Sequence, residues 1–273
     1  MIPKIIMNKL SVSHPKLILN SYSDKSIEGE VLVTDHIFSY IIKGKHDVWI
    51  GNKKFSFEES DFRFFKRNQL TKSVKNTNNG GFRSVAVHID QATLREMSSQ
   101  YKIVADEFYD SRDPILIKPD ENLKSFAESL LAYLQKPYLD ERIALLKTQE
   151  LVLLLIQNES KIKNILFDFS DPCKIDLEGF MNSHYRYNIP LDRFAFLTGR
   201  SLSAFKRDFK KIFEMSPGKW LVQKRLAEAK FRIEEKLEKP SEVYLDLGFE
   251  DLSHFSFAYK KTFGYAPRKK LNQ

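Results

Sequence analysis

The chain has 273 residues, with 44 Lys+Arg against 36 Asp+Glu and a formal net charge of +8. Hydrophobic residues make up 42% and charged residues 29%, which excludes collagen-like and fully disordered chains. The longest uninterrupted apolar run, 151–156, is far short of the roughly 20 residues that cross a bilayer. This length suggests two domains. Cys173 is the sole cysteine, so an intrachain disulfide and a four-cysteine zinc site are both excluded. That fits a reducing cytoplasm. Residues 1–20, broken by Pro3, Lys4, Asn8, Lys9 and Pro15, lack the apolar core of a secretory signal. The charge is uneven: residues 174–273 carry 20 Lys+Arg and 13 Asp+Glu, whereas residues 1–173 are close to neutral. A basic module joined to a neutral one points to a polyanion partner for the module, or to a solubilising surface.

In chain order, residues 1–118 read as β structure. Short aromatic and β-branched runs at 37–42, 47–50, 55–57, 62–65 and 82–89 alternate with turn chemistry at Lys43-Gly44-Lys45, Gly51-Asn52, Glu59-Ser60-Asp61 and 76–81. Many short strands at this spacing predict a small barrel or sandwich. A short helix follows near 91–100. Phe38, Tyr40, Trp49, Phe57, Phe62 and Phe64 either line an apolar pocket or form the barrel core, and the core reading is preferred. His36, His46 and His88 are scattered, with no paired histidines, so no metal is expected.

Residues 119–172 read as helical. Leu123, Phe126, Leu130, Leu131 and Leu134 share one helical face, and Pro137 ends that helix. A second helix begins near Asp140 and carries Ile143, Leu146, Leu151, Leu154 and Leu155. Its apolar run must pack on the barrel, on its neighbour or on a second copy of the chain, the first two being preferred. Residues 168–172 read as a linker.

Residues 173–273 are all helical. Leu191, Phe194, Ala195 and Leu197 share the face of a short helix that Gly199 ends. Ser201 caps the next helix, which carries Phe205, Phe209 and Ile212 on one side and Ser203, Lys206, Arg207, Lys210 and Lys211 on the other. This is the arrangement of a helix-turn-helix. It recurs 50 residues later: Val243, Tyr244 and Leu247, then Gly248, then Asp251 capping a helix with Phe255, Tyr259 and Phe263. Each unit is followed by a proline, Pro217 and Pro267. Two such units in register within one basic section are a specific signal. Between them, 218–238 reads as one helix with Leu226, Ala229, Ile233 and Leu237 on its buried face. Its length of roughly 30 Å suits two major-groove segments one turn apart.

On these residues the section resembles the DNA-binding region of AraC-type transcription regulators. The resemblance rests on Phe205-x-Arg207-x-Phe209-Lys210, Ser216-Pro217, Arg225-Leu226-x2-Ala229, Gly248-Phe249-x-Asp251-x-Ser253-x-Phe255 and Phe263-Gly264-x2-Pro267. It implies an α+β chain: a cupin-like β-barrel with flanking helices that senses an effector, then an all-α domain of seven helices with two helix-turn-helix units joined by a long helix. The expected division is a sensor barrel over 1–118, a helical dimerisation or coupling segment with its linker over 119–172, and the DNA-binding domain over 173–273.

The resemblance implies sequence-specific binding to double-stranded promoter DNA by recognition helices at about 202–213 and 252–263, with activation the family's commoner mode. Base contacts are expected from Ser203, Lys206 and Arg207, and from Leu252, Ser253, Ser256 and Phe257. Arg207 is the best guanine reader, its alternative being an ion pair with Asp208 or Asp192. Lys210, Lys211, Lys260 and Lys261 are expected at phosphates, His254 inward or at a phosphate, and Phe205, Phe209, Phe255 and Tyr259 in the core. Two departures stand out. Tyr244 replaces a small residue, and Phe257 stands where the family commonly has an arginine, so Phe257 and Leu252 are expected against thymine methyl groups.

The expected partners are promoter DNA, the transcription machinery for an activator, a small-molecule or protein effector at the barrel, and a second copy of the chain, with no membrane and no cofactor. No phosphate loop, nucleophile elbow or His-Glu-x-x-His is present, so an enzyme is not expected. An architectural DNA-binding protein without effector control remains the alternative.

Overall fold

The central strands β3 (His36–Lys43) and β8 (Phe82–Ile89) bury residues on both of their sides, and that places one layer of structure on each face of their sheet. The computed structural model describes residues 18–23, 27–51, 53–77, 81–109, 111, 113–134 and 140–268. Among these, β1 (Ile18–Ser23), β8 (Phe82–Ile89), β3 (His36–Lys43), β6 (Phe62–Phe65) and β9 (Ile115–Ile117) form one sheet in that order. A second sheet runs β2 (Ile27–Val33), β7 (Gln69–Asn76), β4 (Lys45–Ile50) and β5 (Lys53–Phe57). All pairings are antiparallel. The five strands expected from sequence are present, and β1, β2, β7 and β9 are additional. Gly51 turns the β4–β5 hairpin with a positive φ of 58°.

One face of the five-stranded sheet carries Phe38, Phe62, Phe64, Val85, Val87 and Ile89 toward the helices. These are α1 (Gln91–Tyr101), α2 (Glu121–Leu134), α3 (Glu141–Asn158) and α4 (Ser160–Leu166). Asp90 caps α1 by accepting from the Thr93 amide, and Asp140 caps α3 by accepting from the Arg142 amide. The apolar run of α3 is used inside the chain: Leu151, Val152 and Leu155 are fully buried against the sheet and its neighbours. Leu146, on the other side of α3, is exposed. The other face of the sheet looks across at the second sheet, and Ile41, Val48, Phe57, Phe65 and Phe82 fill the space between.

The six aromatic residues considered as pocket candidates therefore do not gather around one cavity. Phe38, Phe62 and Phe64 pack under the helices, with Tyr40 beside them, while Phe57 lies between the sheets. Trp49 instead packs under the Lys54 ammonium. The Pro137 helix stop, the Leu134 side chain, Asn52 and the loop at 78–80 lie outside the described residues.

The C-terminal section holds α5 (Leu177–His184), α6 (Leu191–Leu197), α7 (Leu202–Phe213), α8 (Pro217–Glu234), α9 (Pro240–Asp246) and α10 (Leu252–Phe263). Among the described residues these are six helices where the resemblance implied seven, and residues 264–268 carry none. Two buried clusters divide the section. One joins α5, α6 and α7 with the start of α8, and the other joins the rest of α8 with α9 and α10.

The connecting helix ends earlier than its sequence pattern predicts. It stops at Glu234, and Leu237 takes a left-handed φ of 57° with its side chain exposed rather than buried. The Arg232 guanidinium explains the stop: it turns the chain back by binding both Glu238 and Asp246. Ile212 is likewise exposed rather than in the core, its place beside Phe209 and Trp220 being taken by Phe213.

Candidate nucleic-acid interface

Local chemistry sets both recognition helices. Gly199 and Gly248 take φ of +66° and +78° in the two turns. A side chain at Gly199 would run into the Cys173 backbone, and one at Gly248 into the Arg186 carbonyl, so these turns accept only glycine. Ser201 Oγ accepts from the Ala204 amide at 3.3 Å to start α7, and Asp251 Oδ1 accepts from the His254 amide at 2.6 Å to start α10. Phe205 and Phe209 anchor α7, and Phe255 and Tyr259 anchor α10, all four fully buried. Tyr244 packs its ring against Phe255 at a centroid distance of 6.3 Å, so the second unit closes around the larger side chain.

Anchoring those faces turns the others outward. Ser203, Lys206, Arg207, Lys210 and Lys211 are exposed on α7, and Leu252, Ser253, Phe257, Lys260 and Lys261 are exposed on α10. Ser256 is half-buried. His254 is exposed with its ring against Phe249, rather than inward. The Arg207 guanidinium meets Asp208 at 3.4 Å and does not reach Asp192. Asp208 is held mainly by Arg200 at 3.2 Å, which keeps its carboxyl below the usual carboxylate range. Arg207 is thus a second, exposed partner of Asp208 that is not needed to hold it.

The two surfaces differ in kind. The outer face of α7 is cationic from Lys206 onward, whereas the first two turns of α10 offer Leu252, Ser253, His254, Ser256 and Phe257 and no lysine or arginine. Phe257 is 68% exposed, an aromatic ring with little in this chain to pack against.

Two features escaped the sequence reading. Arg225 stands on the apolar face of α8 and is buried. Its three terminal donors reach the carbonyls of Tyr185, Gly248 and Tyr187 at 2.7, 2.9 and 2.8 Å. It thereby locks the connecting helix to both the entry of the first unit and the turn of the second. The signal was available: a lone arginine on the stripe of Leu226, Ala229 and Ile233. The second feature is a docking of the barrel on the helices. Leu32 and Leu70, paired across β2 and β7, pack with Leu177, Phe180 and Leu197. Beside them, the cross-strand pair Glu30 and Lys72 reaches Asn188 and Asp246, respectively. Burial raises the Glu30 carboxyl to about 7, against the lowering effect of the Asn188 amide and Lys72. Among the described residues, no group of His, Cys, Asp and Glu is placed to hold a metal ion, and no helix is long and apolar enough to cross a membrane.

Comparison with known proteins gives two family matches: residues 36–165 match the ExsA N-terminal regulatory domain, and residues 194–273 match the helix-turn-helix domain. The HTH-type transcriptional regulator ExsA of Pseudomonas aeruginosa is 26% identical over 46% of this chain and 46% of its own length. The virulence regulon transcriptional activator VirF of Yersinia enterocolitica is 24% identical over 53% of this chain and 54% of its own length. The chain thus spans about half the length of these relatives. Among solved structures, ToxT from Vibrio cholerae is similar at 14% identity, covering 92% of this chain and 95% of that one, with a TM-score of 0.41.

Proposed function

We propose that the chain is an AraC-type transcription regulator that binds promoter DNA sequence-specifically and activates transcription, a reading supported by its matches to a regulatory domain and a helix-turn-helix domain. The observation that carries this is the pair of capped, glycine-turned helices, each anchored by two buried aromatic residues and each presenting an uncovered outer face. We divide the chain into a sensing or partner-binding barrel over 1–118, a coupling segment over 119–172 and the DNA-binding domain over 173–273. In this reading α7 and α10 enter successive major grooves. Arg207 reads guanine, Ser203 and Lys206 support it, and Leu252, Ser253, Ser256 and Phe257 contact bases from the second helix. Lys210, Lys211, Lys260 and Lys261 neutralise phosphates. No catalytic role is assigned, and the cytoplasm is its place of action.

The test is genome-wide binding of the tagged protein beside an Arg207→Ala variant. Sharp peaks that the variant loses support specific reading. Diffuse signal that the variant leaves unchanged refutes the Arg207 assignment and favours an architectural protein.

A further inference from the structure

The 50-residue offset between the two units sets their second helices side by side, position by position. The buried anchors agree: Phe205 and Phe209 of α7 stand where α10 has Phe255 and Tyr259. The last-turn cations agree too, Lys210 and Lys211 matching Lys260 and Lys261, all four exposed. The middle of the outer face does not. Ser256 replaces Lys206, and Phe257 replaces Arg207. Arg207 and Phe257 both stand outward, the Arg207 side chain 64% and Phe257 68% exposed. The two acids at the start of α10 are engaged within the chain: Glu250 Oε1 accepts from Asn188 Nδ2 at 3.2 Å, and Asp251 Oδ1 accepts from the His254 amide.

Leu252, Ser253, Ser256 and Phe257 fall at i, i+1, i+4 and i+5, which makes them the four corners of one patch. Leu252 and Phe257 hold opposite corners. They lie about 7.5 Å apart along the helix axis at 1.5 Å per residue, roughly two base-pair steps of 3.4 Å. The cations that follow, Lys260 and Lys261, are those of a helix that still rests on phosphates, so the patch is continuous with the proposed DNA interface.

A phenyl ring and an isobutyl group offer no hydrogen bond to a base edge. Laid on guanine, adenine or unmethylated cytosine, they would strip water from donors and acceptors and replace none of it. The major groove presents one apolar group, the 5-methyl of thymine. 5-Methylcytosine carries the same methyl at the same ring position. The Ser253 hydroxyl can bond to several base edges and discriminates little among them. Given the DNA-binding reading of the two units, we infer that α10 reads pyrimidine 5-methyl groups, Phe257 and Leu252 each packing on a thymine or 5-methylcytosine and selecting against uracil and unmethylated cytosine. The two units then recognise different chemistry, a charge-assisted contact through Arg207 in the first and methyl contacts in the second.

The experiment starts from duplexes that the full chain enriches from a random library. In the tightest of these, each thymine is replaced in turn by uracil, which removes the methyl and keeps every hydrogen-bonding group. One or two positions should each lose about fourfold in affinity, the equivalent of about 0.8 kcal/mol for a buried methyl. Cytosine at those positions should bind weakly, and its 5-methylation should recover about fourfold. Phe257→Ala should abolish the uracil effect at one position and Leu252→Ala at the other, while Phe257→Leu, which keeps an apolar contact, should retain most of it. Lys260→Ala should weaken the thymine and uracil duplexes equally. An enriched duplex indifferent to uracil at every position would overturn the inference and leave the DNA-binding reading standing. So would a uracil effect that survives both alanine variants, which would place the methyl reader elsewhere. Binding that neither alanine variant alters would also overturn it and mark the α10 patch as a surface for a protein partner. Failure to enrich any duplex would overturn the DNA-binding reading itself, and the inference with it.

Discussion

Glu30 offers a quantitative test of how the barrel and the DNA-binding helices hold together. Its side chain sits on the outer face of β2, with one carboxylate oxygen 3.4 Å from the Asn188 amide, and burial raises its pKa from 4.5 to about 7. A raised acid pKa means that the folded state holds a proton that the unfolded state has released. Stability from this group is therefore complete below pH 4.5 and is lost as the pH rises through 7. A shift of this size corresponds to at most about 3 kcal/mol, at 1.36 kcal/mol per pH unit. Glu30→Gln keeps the shape and removes the titration. Urea unfolding between pH 5 and 8 should show wild-type stability falling across that range by up to about 3 kcal/mol from this group, and a visibly flatter profile for Glu30→Gln. At pH 8 the variant should be the more stable of the two. The reasoning is refuted if Glu30→Gln is destabilised at pH 8, because that would mean an ionised Glu30 stabilised by Lys72 and Arg225 rather than a carboxyl penalised by burial.

The remaining predictions address the DNA-binding domain. Arg225→Met removes three charge-assisted hydrogen bonds and leaves three carbonyls unmet, so it should lower unfolding free energy by about 3–5 kcal/mol in urea titrations; a loss below about 1 kcal/mol would mean that the lock is dispensable. Lys210→Ala should reduce the slope of log affinity against log salt by about one unit on any duplex. Phe257→Ala should leave that slope unchanged and instead narrow the preference for the cognate duplex over a scrambled one, measured by fluorescence anisotropy.

Much of the helical half was legible because its signals are local. Asp140, Ser201 and Asp251 cap where the sequence places them, and Gly199 and Gly248 turn where a left-handed residue is needed. The strands β2 and β7 were not legible for a physical reason. The stretch Gln69–Asn76 has only Leu70 and Val74 as apolar residues, too few for a period-two pattern, because the face carrying Leu70 and Lys72 meets the helices instead of water. Polar residues such as Lys72 there serve a distant partner, Asp246, 174 positions away along the chain. Leu237 misled in the opposite sense. It continues the apolar stripe of α8, yet the ion pairs of Arg232 with Glu238 and Asp246 end the helix before the stripe does. The exposure of the proposed DNA-reading side chains followed directly from locating the buried aromatic positions, whereas Arg225 and Glu30 acquire their meaning only from packing between segments far apart in sequence.

The docking geometry also constrains how the barrel could control DNA binding. The barrel touches the second unit through Asp246, at the end of α9, and the Asn188 loop before the first unit. With the barrel docked, the outer side chains of α7 and α10 remain uncovered, Ser256 alone among the proposed readers being half-buried. Control by steric cover is therefore the wrong model for this arrangement. What the contact can change is the relative setting of the two units, because Asp246 also binds Arg232 of the connecting helix, and the Gly248 turn just beyond it is held by Arg225. Lys72 thus shares Asp246 with Arg232, while Arg225 holds the Gly248 carbonyl two residues further on. In the proposed mode two recognition helices fit two grooves at once, so a small rotation of one unit against the other should cost affinity without hiding a single proposed contact residue.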